Sequence, residues 1–194
     1  MDSEDNGYEL WKTDCTEEGT TMVKDIYTGS FNSYPTNFIE FDNRIYFSAE
    51  SNGLGDEVWF SDGTETGTGL LADIYANASS SNPKDFAIIN NRLIFSARGS
   101  DTGEELWAYD GISVSGLPEI RPGNISGYDD FVGVYNDHYY FVGESENEGV
   151  ELWKSNGIEN NLIADLNLGV ASSNPEFVIL TGHYMIFTAT TPET

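Results

Sequence analysis

The sequence predicts an all-β protein: a four-bladed β-propeller with four antiparallel strands per blade, closed by N- and C-terminal strands in one blade. Three observations predict it. A short motif ending in tryptophan recurs four times. Twenty glycines and an aromatic content of 13% accompany short runs of Val, Ile, Thr, Tyr and Phe, which favours short strands joined by turns. Apolar residues at helical spacing are absent over any useful length.

The recurring motif has the form Gly-x-Glu-Leu/Val-Trp, with spacings of 48, 48 and 46 residues. Its copies lie at 7–11, 55–59, 103–107 and 149–153. We interpret residues 1–194 as a single domain of four repeats, at 7–54, 55–102, 103–148 and 149–194. All four tryptophans of the chain belong to this motif, so we expect them to occupy equivalent, largely buried places.

Each repeat predicts four strands in a fixed order. The tryptophan strand is followed by an Asp-Gly-like turn, an aliphatic run ending in an acid, a Ser/Asn/Gly-rich link and two apolar runs separated by a turn. The first turns are at 14–15, 62–63, 110–111 and 156–157, and the aliphatic runs are 22–25, 70–73, 117–119 and 162–165. The paired apolar runs are 38–41 with 44–49, 86–89 with 92–97, 131–135 with 138–142, and 177–180 with 183–189. Several are apolar at successive positions, which favours sheets covered on both faces.

The two ends of the chain carry complementary halves of a blade. Residues 9–26 supply an outer pair of strands, and residues 177–189 supply an inner pair. We therefore expect residues 9–26 to add to the sheet formed by residues 177–189, which completes the fourth blade and removes the exposed strand edges.

Two segments carry a resemblance to a known family. Glu-Leu-Trp-Lys-Thr-Asp at 9–14 and Trp-Phe-Ser-Asp-Gly-Thr-Glu-Thr-Gly-Thr at 59–68 resemble the ELWxxDGT-repeat proteins, which are large, mostly bacterial and marine, surface or secreted proteins. The resemblance extends from Gly7 to the end of the chain. It implies an extracellular or cell-surface, propeller-like module of a larger protein. Cys15 departs from the pattern at a turn glycine, and the third and fourth repeats lack the Gly-Thr pair of the first two.

The charge of the chain excludes some partners. Thirty-three acidic and eight basic residues give a formal net charge of −25, which repels nucleic acid and anionic lipid surfaces. No apolar stretch approaches the roughly 20 residues of a membrane-spanning helix. The acidic residues 1–5 differ from the basic start of a signal peptide. We expect no membrane insertion and no leader, and the single Cys15 does not indicate a redox compartment.

The motif itself supplies candidate ligand-binding residues. An aromatic face beside a carboxylate is suited to sugars or ammonium groups. The candidates are Glu9, Trp11, Glu57, Trp59, Glu105, Trp107, Glu151 and Trp153. We favour a structural interpretation, because the pair recurs in every repeat. In this interpretation the tryptophan is a packing element and the glutamate accepts bonds from backbone or turn donors.

Calcium is a possible cofactor, because the acids after the turns offer oxygen ligands. The candidates are Asp14, Asp62, Asp110, Asp25, Asp73 and Asp165. Asx-turn chemistry explains the first three equally well. His138 and His183 are interpreted as turn-proximal polar residues rather than as a metal pair. Two sequons nominate Asn77 and Asn124 for glycosylation.

No nucleophile elbow, zinc-protease helix, phosphate loop or dinucleotide fingerprint is present in the sequence. The sequence therefore predicts a non-catalytic module, and the resemblance implies that it is an extracellular binding or assembly module whose partner is a protein or glycan at a cell surface or in extracellular matrix. One alternative is a carbohydrate-binding lectin with sites between blades. The other is a glycoside hydrolase-like enzyme with a central carboxylate site.

Overall fold

The computed structural model describes residues 7–192, and over this range the protein is all-β, with sixteen strands in antiparallel sheets and no helix. The fold-class prediction is confirmed at this level. The strands are β1 Leu10–Lys12, β2 Thr21–Lys24, β3 Thr36–Phe41, β4 Arg44–Ser51, β5 Gly55–Ser61, β6 Thr68–Ala72, β7 Lys84–Ile89, β8 Arg92–Arg98, β9 Glu104–Tyr109, β10 Val114–Gly116, β11 Tyr128–Tyr135, β12 His138–Ser145, β13 Gly149–Ser155, β14 Asn160–Ala164, β15 Glu176–Leu180 and β16 Met185–Thr188.

The strands form three four-stranded sheets and two pairs. The first sheet has the order β3-β4-β5-β6, the second β7-β8-β9-β10 and the third β11-β12-β13-β14. In each of them, the paired apolar runs of one predicted repeat join the tryptophan strand and aliphatic run of the next, which is the predicted strand order. The remaining strands form an N-terminal pair, β1-β2, and a C-terminal pair, β15-β16.

By its internal contacts the chain divides into two compact units. One comprises the residues up to Phe86 together with Ala97–Ser100, and the other comprises Ala87–Ser96 together with the residues from Asp101 onward. The N-terminal pair and the first sheet belong to the first unit. The third sheet and the C-terminal pair belong to the second.

Each unit has its own apolar core. In the first unit, Phe47, Ala49 and Trp59 pack with Ile26. In the second, Tyr139, Phe141 and Trp153 pack with residues from β7 to β11. Core residues come from successive positions of β4, β8 and β12, which confirms that these strands are covered on both faces.

Tight turns of one kind connect the inner strands of the three four-stranded sheets. Both central residues are left-handed in Asp42-Asn43, Asn90-Asn91 and Asn136-Asp137, with φ between 46° and 59°. This is the conformation of a type I′ hairpin turn, and Asn and Asp tolerate it better than other side chains. The turns expected at 42–43 and 90–91 are confirmed.

One predicted strand lies earlier than expected. The outer strand of the second sheet is Val114–Gly116 rather than residues 117–119. The preceding turn is short, because Asp110 and Ser113 close it, and Pro118 has no N–H to extend the ladder. Leu117 still donates to the Leu106 carbonyl at 2.8 Å.

The described part of the chain contains no helix that is long and apolar enough to cross a membrane.

Candidate functional site

The glutamate of the recurring motif is an internal anchor for the loop that follows it. Glu57 is fully buried. Its Oε2 accepts bonds from the Ile74 N–H at 2.8 Å and the Ser81 hydroxyl at 2.6 Å. Its Oε1 accepts bonds from the N–H groups of Tyr75 at 3.3 Å and Ser81 at 3.0 Å. Burial raises the pKa of Glu57, and these donors oppose the shift.

The same anchor recurs along the chain. Glu9 accepts from Ile26 and Ser33, and Glu151 accepts from Leu166 and Ser173. The anchored loops have one length, at 25–33, 73–81, 119–127 and 165–173. At the end of each loop, a carbonyl accepts a backbone bond from the next inner strand or, in the fourth loop, from Thr190 just after that strand. These bonds run from Glu50 to Ser33, Arg98 to Ser81, Glu144 to Gly127 and Thr190 to Ser173, at 2.7–2.8 Å. The loop is therefore tied both to the strand pair before it and to the one after it.

The motif glycine leaves room for the same loop. A Cβ on Gly55 would lie 2.5 Å from the Ser79 carbonyl oxygen and 2.7 Å from the Ser80 hydroxyl. Gly55 also has a left-handed φ of 73°. Gly7, Gly103 and Gly149 face their own loops in the same way. Glycine and glutamate of the motif thus act together to dock the loop.

The motif tryptophans are not equivalent, which corrects the expectation of four buried side chains. Trp59 and Trp153 are buried and Trp107 is partly buried, but Trp11 is 58% exposed. Trp59 lies opposite Phe47 on β4, and Trp153 lies opposite Phe141 on β12. Among the strands of residues 7–192, β1 pairs only with β2, so none of them covers Trp11 in this way.

A groove of about 350 Å³ runs beside Trp11. It is lined by Tyr8, Glu9, Trp11, Pro35 and Phe38 among others, all within the first unit. Tyr8 stacks on Tyr34 with the ring centroids 5.8 Å apart. Of the eight proposed ligand-binding residues, only Trp11 therefore presents a largely exposed side chain. Glu9, Glu57, Glu105 and Glu151 are all buried, but Glu9 also lines the groove beside Trp11, so the structure brings this one predicted pair together.

The aspartates of the first turns are occupied in the turns themselves. Asp62 Oδ1 accepts from the Thr64 N–H at 2.8 Å and the Thr64 hydroxyl at 2.7 Å. Asp14 has the same two bonds with Thr16, and Asp110 accepts from two backbone N–H groups. The Thr64 hydroxyl and N–H lower the pKa of Asp62. The turn interpretation explains these three acids.

Two acids of the second set also serve turns. Oδ2 of Asp25 accepts from Gly29 N–H, and Oδ2 of Asp165 accepts from Gly169 N–H. Asp73 is exposed on the equivalent loop. Across residues 7–192, no three His, Cys, Asp or Glu side chains come together in a way that could hold a metal ion. The calcium candidates are thus not brought to one place.

The histidines, the sequons and the cysteine lie at turns and loops. His138 begins β12, and its Nδ1 lies 2.7 Å from the Asn136 carbonyl oxygen. His183 is exposed in the turn between β15 and β16. Asn77 and Asn124 are exposed in anchored loops, and Asn77 takes the left-handed position that glycine holds in the other three loops. Cys15 is exposed and forms no disulfide.

A second cavity was not predicted from the sequence. It has a volume of about 450 Å³ and lies within the second unit, between β11, β12 and β15. Asp129, Asp130 and Glu176 line it together with apolar residues that include Phe131 and Val178. In the sequence, Asp129-Asp130 stands where the other links have a proline and its neighbour, at 35–36, 83–84 and 175–176. The two aspartates in place of this proline and its neighbour were the sequence feature that could have indicated the cavity.

Comparison of the chain with models of known protein families, with curated proteins and with solved structures finds no match.

Proposed function

We propose that the chain is a non-catalytic extracellular binding or assembly module, built as a four-bladed β-propeller. The observation that carries the proposal is that the motif glutamates and the aspartates of the first turns accept hydrogen bonds from their own loops and turns. The motif glutamates accept loop donors in the interior, and the turn aspartates close their own turns. The resemblance to ELWxxDGT-repeat proteins supports a cell-surface or secreted setting. A net charge of −25 is suited to an exposed, solvated surface.

The ring is closed, in this proposal, by the two terminal pairs. The N-terminal pair has the outer strands of a sheet and the C-terminal pair has the inner strands. Each carries an exposed apolar face, with Trp11 on one and Ile179 and Ile186 on the other. If the N-terminal pair joined the C-terminal pair, the four strands would form a fourth sheet with the same strand order as the other three. It would also cover apolar surface and strand edges that otherwise invite association.

We expect saturable binding of a protein or glycan from a cell surface or extracellular matrix, without turnover of glycosides. The measurement is calorimetric titration of hits from a glycan array and from immobilised matrix proteins, in calcium and in chelator. A glycan stoichiometry of about four per chain would favour the lectin alternative, since inter-blade sites are repeated. Turnover of a glycoside would contradict the non-catalytic proposal.

The cavity with Asp129, Asp130 and Glu176 favours one second candidate, a glycoside hydrolase-like enzyme, since paired carboxylates are the catalytic groups of most glycosidases. If a glycoside is hydrolysed, Glu176→Gln and Asp130→Asn should each abolish turnover while leaving the melting temperature unchanged. Glu65→Gln, at an exposed turn of the first unit, is the matched control. Turnover that survives both cavity variants would exclude this site.

A further inference from the structure

One of the four anchored loops lacks a donor that the other three have. Ser33, Ser81 and Ser173 each place a hydroxyl on the buried glutamate, at 2.5–2.6 Å. The equivalent residue of the third loop is Gly127, which offers only its N–H to Glu105, at 2.8 Å. The Glu105 carboxylate fills the space of the missing side chain, since a Cβ on Gly127 would lie 2.5 Å from its Oε1.

Glu105 is therefore a buried carboxyl that accepts from the backbone N–H groups of Gly127 and Ile120, whereas Glu57 has four donors. Its exposed fraction is 4%. Burial raises its pKa to about 7, the N–H groups of Gly127 and Ile120 oppose the shift, and the nearby charges of Glu119 and Glu104 add to it.

Two carboxylates raise the pKa of Glu105, and its loop also carries one basic residue. Glu104 lies on β9, and Glu119 and Arg121 lie in the loop itself. Arg121 is paired with Glu144 on β12. Its positive charge is thus engaged elsewhere, and the two neighbouring carboxylates oppose ionisation of Glu105.

We propose that residues 119–127 form a proton-sensitive latch, which is closed on Glu105 when that carboxyl is protonated and is released when it ionises. This inference goes beyond the proposed function and does not depend on it. The closed loop binds the proton more tightly than an open loop, in which the carboxyl has its ordinary pKa near 4.5. The latch is thus most stable at acidic pH, and its stability falls as the pH rises through about 7.

Release has a structural consequence in the second unit. The Gly127 carbonyl accepts the Glu144 N–H at 2.8 Å, so the closed loop holds the inner strand β12 of the third sheet. The loop tip carries the exposed side chains of Asn124 and Ile125. Opening frees this tip and loosens its attachment to β12.

The test is hydrogen exchange of the full chain between pH 5 and pH 9, with each amide rate divided by its intrinsic rate at that pH. Protection of residues 119–127 should fall by about tenfold or more across this range, because a one-unit difference in pKa is a tenfold change in equilibrium. Loop 73–81, whose glutamate has four donors, is the internal control and should respond less.

Three variants distinguish ionisation of Glu105 from a general pH-dependent destabilisation of the protein. Gly127→Ser restores the hydroxyl and should flatten the response, and Glu105→Gln, which imitates the protonated acid, should abolish it. Ser81→Gly removes the hydroxyl at Glu57 and should create a response in loop 73–81. A pH response that persists in Glu105→Gln overturns the proposal. If Gly127→Ser does not fold, Glu105→Gln decides alone.

Discussion

Replacing Gly55 with alanine is expected to destabilise the protein by about 2–4 kcal/mol, one of the two largest effects that we predict. The new Cβ would lie within 2.5–2.8 Å of the Ser79 carbonyl and the Ser80 hydroxyl. The backbone there is also left-handed. The loop would have to move away from β5, and this would weaken the bonds that it makes to Glu57. The measurement is the free energy of unfolding in urea.

Gly53→Ala is the matched control. Gly53 has a φ of 75°, almost the same as the 73° of Gly55, but no atom lies within 4 Å of the Cβ position. It should therefore cost only the backbone strain of about 1 kcal/mol. Equal losses at Gly53 and Gly55 would show that the backbone conformation, and not loop docking, explains the motif glycine.

Glu57→Gln should cost about 2–4 kcal/mol, because buried donors that lose their acceptor retain the full cost of desolvation. Each oxygen of Glu57 accepts two bonds, and at least one of the donors on each is a backbone N–H that cannot turn away. An amide nitrogen in either position faces such a donor. The measurement is again urea unfolding, at pH 8.

Glu65→Gln makes the same change of charge at an exposed turn and should lie within about 0.5 kcal/mol of the parent. If Glu57→Gln is equally mild, the glutamate is not an anchor. A ligand-binding role for the motif would then become the better interpretation.

Much of the fold could be predicted from the local pattern of apolar runs and turn residues in the sequence. Pairs such as Asp42-Asn43 between apolar runs indicate tight hairpin turns, because few residues adopt two successive left-handed conformations. The anchoring role of the glutamate was also accessible, since a residue that recurs with the scaffold is usually part of it. The partners of the glutamate could not be predicted from the sequence, because Ile74 and Ser81 contact Glu57 only after the loop has folded back.

The departures were harder to predict. The exposure of Trp11 depends on whether an inner strand lies beside β1, and its own sequence does not differ from that of Trp59 in this respect. Gly127 and Asp129 were hidden for another reason. A repeat is recognised from residues that its four copies share, whereas Gly127 and Asp129 lie at positions at which a single copy differs from the other three. The missing hydroxyl arises at Gly127, and the extra carboxylates arise at Asp129 and Asp130.

The proposed closure of the ring makes a specific prediction of register. Phe47 lies opposite Trp59 between β4 and β5, with Tyr46 opposite Phe60. The bonds from Glu50 to Ser33 and from Thr190 to Ser173 make Phe187 the counterpart of Phe47. By this register Phe187 should lie opposite Trp11, and Ile186 should lie opposite Lys12.

The most direct test is disulfide formation in a Cys15→Ser background, with cysteines at Lys12 and Ile186, since directly opposed residues of neighbouring strands come within reach of a disulfide. The account predicts a cross-link within one chain, read by non-reducing electrophoresis and peptide mass spectrometry. Cysteines at Lys12 and Met185, one residue out of register, should link poorly because adjacent side chains point to opposite faces. No cross-link at 12 and 186, or links only between chains, would contradict a ring closed by the two ends of one chain.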